Sequence, residues 1–195
     1  VIIGTDINAY NMAISFHEQY QVHPILVGKQ EMGFTSYSTI PEEIIIHDDL
    51  TDEGRFVPIL NTLAEQLKKR SDNLVLVGTN DAYVRLIIEN EGALKENYAF
   101  NYISEDLMNQ LQHKANFYKL CAAHGIDTPT TYFYDCGAAT PFDEPLTYPV
   151  IIKPSNGIEY YNNPFTGQKK GDRVNSDQEV QDTITKIKAS GYRDE

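Results

Sequence analysis

The sequence predicts an α/β chain: an open parallel sheet with helices on both faces, followed by a smaller α+β unit. Three observations point there. Short aliphatic runs end in glycine at Val1-Ile2-Ile3-Gly4, Pro24-Ile25-Leu26-Val27-Gly28 and Leu74-Val75-Leu76-Val77-Gly78. The stretches between them carry apolar residues at helical spacing, which is the alternation of a parallel sheet. After Lys114 that alternation gives way to shorter elements and loops. The expected division is therefore residues 1–112 as the first domain and residues 113–195 as a second, smaller unit.

The first strand runs into a glycine turn at Gly4. Asp6 or Asn8 suits the cap of the next helix, with Met12, Ala13, Phe16 and Tyr20 on one face. The strand over residues 24–28 completes a βαβ unit, whose crossover is right-handed by the general rule. Residues 36–41 read as loop, and Ile44-Ile45-Ile46 as the third strand. A helix then reaches about Arg70. Phe56, Leu60, Leu63 and Leu67 form its apolar face, Pro58 suits only its first turn, and Lys68, Lys69 and Arg70 occupy its last. Leu74 to Gly78 is the clearest strand in the chain. Thr79 or Asn80 caps the helix bearing Val84, Ile87 and Ile88, and Gly92 stops it. A fifth, shorter strand is expected over Tyr98–Ile103, and Ser104 opens a helix bearing Leu107 and Leu111.

In the second unit a helix runs from Lys114 to His124 and stops at Gly125, with Cys121 on its apolar face beside Phe117 and His124. Thr130 to Tyr134 alternates like a strand, and Cys136 to Pro145 is turn-rich. Val150-Ile151-Ile152 reads as a strand covered on both faces, opened by Pro149 and ended by Pro154. Lys153 is its last residue, and an ammonium in an apolar run must reach water or an anion. Gly157 to Asp172 reads as a hairpin with a mobile tip, with Lys169 and Lys170 a solvated pair at its end. Ser176-Asp177-Gln178-Glu179 is a capping box, followed by Val180, Ile184 and Ile187 on one helical face and then Gly191.

The 195 residues are 41% hydrophobic and 23% charged, with a formal net charge of −12. The composition is that of a globular chain. The charge sets it against nucleic acid or an anionic membrane as partner. No run has the length of a membrane-spanning helix or the form of a signal peptide, so a cytoplasmic protein with reduced, unpaired Cys121 and Cys136 is expected. There is no G-x-G-x-x-G, Walker A, H-E-x-x-H or G-x-S-x-G pattern. The five histidines, at 17, 23, 47, 113 and 124, show no ligand pairing, so no metal-ligating residue is expected within the chain. In open parallel sheets ligands bind beyond the carboxyl ends of the strands. Asp6, Asn8 and Asp81 lie there. A carboxylate can pair an ammonium and an amide can bind a carboxylate, while the same residue types also cap helices.

Tyr148-Pro149-Val150-Ile151-Ile152-Lys153-Pro154-Ser155-Asn156 resembles the second nucleotide-binding lysine segment of the ATP-grasp ligases. Upstream, Lys114-Ala115-Asn116-Phe117 with Gly125-Ile126-Asp127-Thr128-Pro129 resembles that superfamily's K-x-x-F…G-I-x-x-P pattern. The run from Gly4-Thr5-Asp6-Ile7-Asn8 to Tyr20 is similar to the carboxylate–amine ligase branch that includes the D-aspartate ligases of bacterial wall synthesis. The carbamoyl-phosphate synthase-like enzymes are the nearest enzymatic rival. The resemblance implies a Rossmann-like pre-ATP-grasp domain followed by the first part of an ATP-grasp domain. It implies ATP and Mg²⁺ as cofactors, a small-molecule carboxylate and an amine as substrates, and amide formation through an acyl phosphate. It assigns Lys114 to the α-phosphate and Lys153 to the α/β-phosphates and the adenine edge, with Ser155, Asn156 and Gly157 beside them.

Two departures accompany the resemblance. Where the family has a glycine-rich loop, only Gly157 stands near Ser155, followed by Ile158-Glu159-Tyr160-Tyr161; Lys169 and Lys170 could reach phosphate there, although a solvated pair is the favoured reading. The family's Mg²⁺ ligands and catalytic arginine come later in its chain. The expectation is therefore the N-terminal part of a longer protein, inactive by itself, with catalytic residues beyond residue 195. A non-catalytic ATP-binding regulatory module is one alternative. A plain doubly wound domain binding a small ligand at Asp6 and Asp81 is the other.

Overall fold

Aliphatic runs at the amino ends of three segments set the first sheet. Strands β1 (Ile2–Ile3), β2 (Ile25–Gly28), β3 (Glu43–Ile46) and β4 (Val77–Gly78) are all parallel, in the order β3-β2-β1-β4. The computed structural model describes residues 1–195 and divides into two units, Val1–Glu105 and Asp106–Glu195. The helix Glu105–Gln112 thus groups almost wholly with the second unit rather than the first.

In the first unit, helix α1 (Ile7–Tyr20) buries Ala9 and Ala13 against Ile2 and Leu26, with Met12 and Phe16 half-buried. Tyr20 does not join that face; it is 66% exposed. A short helix, α2 (Gly33–Ser36), stands partly where loop was expected, pinned by the fully buried Thr35, whose hydroxyl donates to the Thr5 carbonyl at 2.8 Å. Helix α3 (Phe56–Leu67) covers the other face with Phe56, Leu60, Leu63 and Leu67, all buried among Ile3, Val27 and Leu76. Pro58 falls in its first turn, where a missing N–H costs nothing. The helix ends at Leu67, so the three basic residues lie past its last turn. Lys68 donates to Asn97 Oδ1 at 2.6 Å and Arg70 pairs with Glu42.

The Leu74–Gly78 run is shared between two neighbours. Val77 and Gly78 pair with β1, while Leu76 N–H donates to the Ala99 carbonyl at 3.0 Å and Ala99 N–H to the Leu74 carbonyl at 2.7 Å. The fifth strand shrinks to this one bridge. The reason is a side chain: the Gly78 N–H, which a longer strand would have paired, donates instead to the Tyr102 hydroxyl at 2.9 Å. Helix α4 (Asp81–Glu89) is capped by Asn80, whose Oδ1 accepts from Tyr83 N–H at 3.0 Å. Asn90, not Gly92, ends it; Gly92 lies inside a further short helix, α5 (Glu91–Leu94).

The second unit contains α6 (Glu105–Gln112), α7 (Lys114–Ala123), β5 (Val150–Ile152), α8 (Gly157–Asn162), β6 (Asp172–Val174) and α9 (Asp177–Ala189). The buried residue of α6 is Met108 rather than Leu107 or Leu111. On α7, Ala115 and Cys121 are buried, whereas Phe117 and His124 are exposed. Gly125 takes the left-handed conformation, with φ +65°, and ends that helix. Residues 130–134 form no strand; Tyr134 is held by its side chain, with its hydroxyl on the Thr140 carbonyl and its ring edge-on to Phe142. Asn156 nucleates α8 where a hairpin was expected, and Tyr160 of α8 is buried against Phe165 and Tyr192. Ser176 caps α9 through Glu179 N–H, while Glu179 Oε2 reaches back to Asn175 N–H at 2.8 Å. Val180, Ile184 and Ile187 of α9 are buried, and both cysteines are free and buried.

One buried hydrogen bond tests the first core. The Tyr98 hydroxyl donates to the Leu60 carbonyl at 2.7 Å, and burial pushes its pKa well above 10. Replacing Tyr98 by Phe keeps the ring and removes about 1 kcal/mol of hydrogen bonding. The urea midpoint of the variant should fall accordingly, and an unchanged midpoint would contradict the packing described.

Candidate nucleotide site

The site is built from β5 outward. Val150 and Ile152 face Val174, Val180 and Ile184, while Ile151 between them is 56% exposed. The strand is thus covered on one face only, in contrast to the expectation from its apolar run. It pairs antiparallel with β6, Val150 opposite Val174 and Ile152 opposite Asp172. Continued by one residue, that register sets Gly171 beside Lys153. A Cβ on Gly171 would lie 3.2 Å from Lys153 Cγ and 3.4 Å from the Ile152 carbonyl, so glycine leaves room for the lysine stem.

Lys114, the first residue of α7, comes to the same place from the other side. Its N–H donates to the Ser155 carbonyl at 3.3 Å. Burial, followed by the charges of Lys153 and Lys170, holds its pKa below the ordinary lysine value. Lys114, Lys153 and Lys170 thus bear on one another electrostatically in a chain of net charge −12. Lys153 and Lys170 are exposed and Lys114 is half-buried. A cavity of about 600 Å³ opens here, with Lys114, Lys153 and Ser155 at its polar part and Tyr118, Phe133 and Ile151 among its apolar walls. Cations beside an apolar hollow suit an anion that carries a flat apolar group.

Lys170 read as half of a solvated pair in the sequence. Lys169 fits that description, 71% exposed and 4.0 Å from Asp172. Lys170 is exposed as well, and its charge bears on Lys114.

Ser155 is 4% exposed, and its N–H donates to the Glu195 carbonyl at 2.7 Å. Asn156 N–H donates to the Tyr192 hydroxyl at 3.2 Å, and Asn156 Oδ1 accepts from Glu159 N–H. The N–H groups of Ser155 and Asn156 are thus engaged within the protein rather than turned toward a ligand. Gly157 opens α8, and a Cβ there would meet nothing within 4 Å. Close packing does not require a glycine at that position.

Behind the lysines lies a polar knot. His113 Nε2 is 3.2 and 3.3 Å from the two carboxylate oxygens of Asp194. Burial alone would raise the Asp194 pKa, but hydrogen bonds from Glu195 N–H, His113 and the Asn156 side chain hold it below the usual carboxylate value.

The strand-end residues of the first unit form a separate group. Its β1 lies between β2 and β4, so the connections leave β1 in opposite directions at the β1/β4 boundary. Gly4, with φ +135°, allows the two loops to touch there, since a Cβ would lie 2.1 Å from Thr79 Oγ1. Asp6 Oδ1 accepts from Asn8 N–H and Ala9 N–H, each at 3.0 Å, and caps α1. Asn8 and Asp81 are exposed, Asp81 in the first turn of α4. Tyr83, which the sequence did not single out, faces Asp6: burial and then that carboxylate raise its pKa. No three His, Cys, Asp or Glu side chains anywhere in the chain converge on a point that could hold a metal ion. No helix is long and apolar enough to cross a membrane.

The chain matches no family model. Over 199 aligned residues it is 27% identical to the D-aspartate ligase of Enterococcus faecium (strain Aus0004), which covers 100% of this chain and the N-terminal 47% of the relative. It thus spans about half the length of that curated relative. Its fold matches the crystal structure of the L-amino acid ligase from Bacillus licheniformis with a TM-score of 0.62 at 15% sequence identity, over 95% of this chain and 41% of that one. The α/β fold and the resemblance to ATP-grasp ligases hold along the whole chain.

The crowded lysines yield a prediction with a definite sign. A lysine whose folded pKa is lowered gives up its proton earlier when folded, so the unfolded state binds more protons between the two values. Stability then rises with pH through that window, and the penalty is fully present at pH 7. Lys114→Met keeps the stem and removes the charge. Its urea midpoint at pH 7 should exceed that of the parent, and a lower midpoint would contradict the crowding.

Proposed function

We propose that this chain belongs to an ATP-dependent carboxylate–amine ligase and supplies part of its triphosphate site. The observation that carries the proposal is the convergence of Lys114 and Lys153 on one largely apolar hollow in an acidic chain, with the charge of Lys170 bearing on Lys114. Lys114 and Lys153 hold the triphosphate, and the buried Ser155 with Asn156 and Gly157 shapes the turn after Lys153. The likeness to a D-aspartate ligase over the whole chain supports D-aspartate as the carboxylate substrate. The sequence resemblance to the ligases of bacterial wall synthesis points to a lysine of a peptidoglycan precursor as the amine and to a cytoplasmic enzyme. Asp6, Asn8 and Asp81, at the carboxyl ends of the strands, contact the small-molecule substrates. Asp6 does so with the oxygen that the α1 cap leaves over.

The chemistry is coherent in these terms. A carboxylate is a poor electrophile at neutral pH. Its oxygen attacks the γ-phosphorus of ATP, the bond to the bridging oxygen breaks, and ADP leaves. The resulting acyl phosphate is attacked at carbon by the amine, which loses a proton as inorganic phosphate departs. Each amide thus releases one ADP and one phosphate. The lysines neutralise charge on the triphosphate and hold it in line. ATP-grasp ligases also use Mg²⁺, but no three His, Cys, Asp or Glu side chains of this chain come together to hold it.

The test is phosphate release by the complete gene product with Mg·ATP. D-aspartate, L-aspartate, other amino acids and bicarbonate are offered in turn, with and without a lysine-containing acceptor peptide. Release that needs D-aspartate and the acceptor is expected. Release with bicarbonate would favour a carbamoyl-phosphate synthase-like activity, and ATP binding without any release would favour a regulatory module. Lys153→Ala should weaken ATP binding by roughly 1.5–3 kcal/mol, the range for charged hydrogen bonds. Unchanged affinity in that variant would remove Lys153 from the site.

A further inference from the structure

Asp194 stands where the segments bearing Lys114 and Lys153 meet, yet it does not line the cavity they share. On one side it holds His113, the residue directly before Lys114. The His113 side chain is 25% exposed, and its other ring nitrogen, Nδ1, is buried without a partner, so Asp194 alone fixes the ring through hydrogen bonding. On the other side it takes a hydrogen bond from Asn156, whose Oδ1 at the same time caps α8. The surrounding backbone closes the clasp. Glu195 N–H donates to Asp194 Oδ1 at 2.8 Å, Ser155 N–H to the Glu195 carbonyl at 2.7 Å, and Cys136 N–H to the Asp194 carbonyl at 3.3 Å.

Like charges repel, so something other than the lysines must hold their two segments together before an anion arrives. We propose that Asp194 is a positioning residue that fixes the spacing of Lys114 and Lys153, acting through His113 on one side and Asn156 on the other. This rests on the assignment of those lysines to the triphosphate. Without the clasp the two cations drift apart, and part of the binding free energy goes into bringing them back.

The test is ATP affinity by titration calorimetry on the complete gene product. The parent, Asp194→Ala, Asp194→Asn and Lys153→Ala are compared, with Asp194→Ala repeated in a Lys114→Ala background. Asp194→Ala should weaken ATP binding about tenfold, or ~1.4 kcal/mol. Asp194→Asn keeps an acceptor for His113 and for Glu195 N–H and should restore most of the loss. In the Lys114→Ala background the same change should cost no more than about twofold, because one of the two positioned groups is gone. A merely structural role would lower thermal stability without this coupling. Should Asp194→Ala not fold, His113→Ala carries the same expectations, since it removes one arm of the clasp and leaves the rest. Parent-like ATP affinity in the folded variant, with Lys153→Ala still weakened, overturns the inference and leaves the lysine assignment standing. So does a full tenfold loss that persists without Lys114. A parent protein that binds no ATP overturns both.

Discussion

Ammonium groups avoid one another unless the backbone leaves them no choice, and the second unit of this protein is arranged around that constraint. The antiparallel register of β5 and β6 sets Lys153 against Gly171. The Lys114 N–H, tied to the Ser155 carbonyl, brings in a second charge, and that of Lys170 bears on it. Desolvation and then mutual repulsion work against this arrangement, and both push the Lys114 pKa down. What holds it is ordinary: Val150 and Ile152 packed on α9, Tyr160 and Tyr192 packed edge-on, and a carboxylate behind the lysines. Cations kept together at a cost to stability are what a polyanion site requires.

The first unit follows a different logic. Its apolar strands are buried between α1 and α3, and its polar residues gather where the strands end. There the side chains serve the backbone first. Asp6 and Asn80 cap helices, Thr79 donates to the Ile3 carbonyl, and Tyr102 takes the Gly78 N–H. The loops after β1 and β4 touch through Gly4, so the crevice expected at this point of the sheet is tightly built. Asp6 caps through Oδ1 alone, so the proposed substrate contact does not compete with the cap.

Residues whose environment is local were legible in the sequence. The capping box at Ser176, the stop at Gly125, the buried faces of α3 and α9, and the two lysines of the ATP-grasp resemblance were all visible from spacing or motif. Elements that depend on a partner were not. Tyr98–Ile103 has strand composition, but a tyrosine hydroxyl replaces the ladder after one bridge. Thr130–Tyr134 alternates correctly and finds no strand to pair with. Gly157–Asp172 looked like a hairpin because it is polar and glycine-rich, yet Asn156 caps a helix there and Tyr160 gives that helix a buried face. Asp194 was not singled out for the same reason, since its partners His113 and Asn156 lie far from it along the chain.

The central claim is that Lys114, Lys153 and Lys170 act together on one triphosphate. Lysine acylation followed by mass spectrometry, with and without ATP, addresses it most directly on the complete gene product. The account predicts that ATP protects those three side chains together while Lys169 and Lys95 react unchanged. Equal reactivity of all lysines in the presence of saturating ATP, or protection confined to the first unit at Lys29, would contradict it.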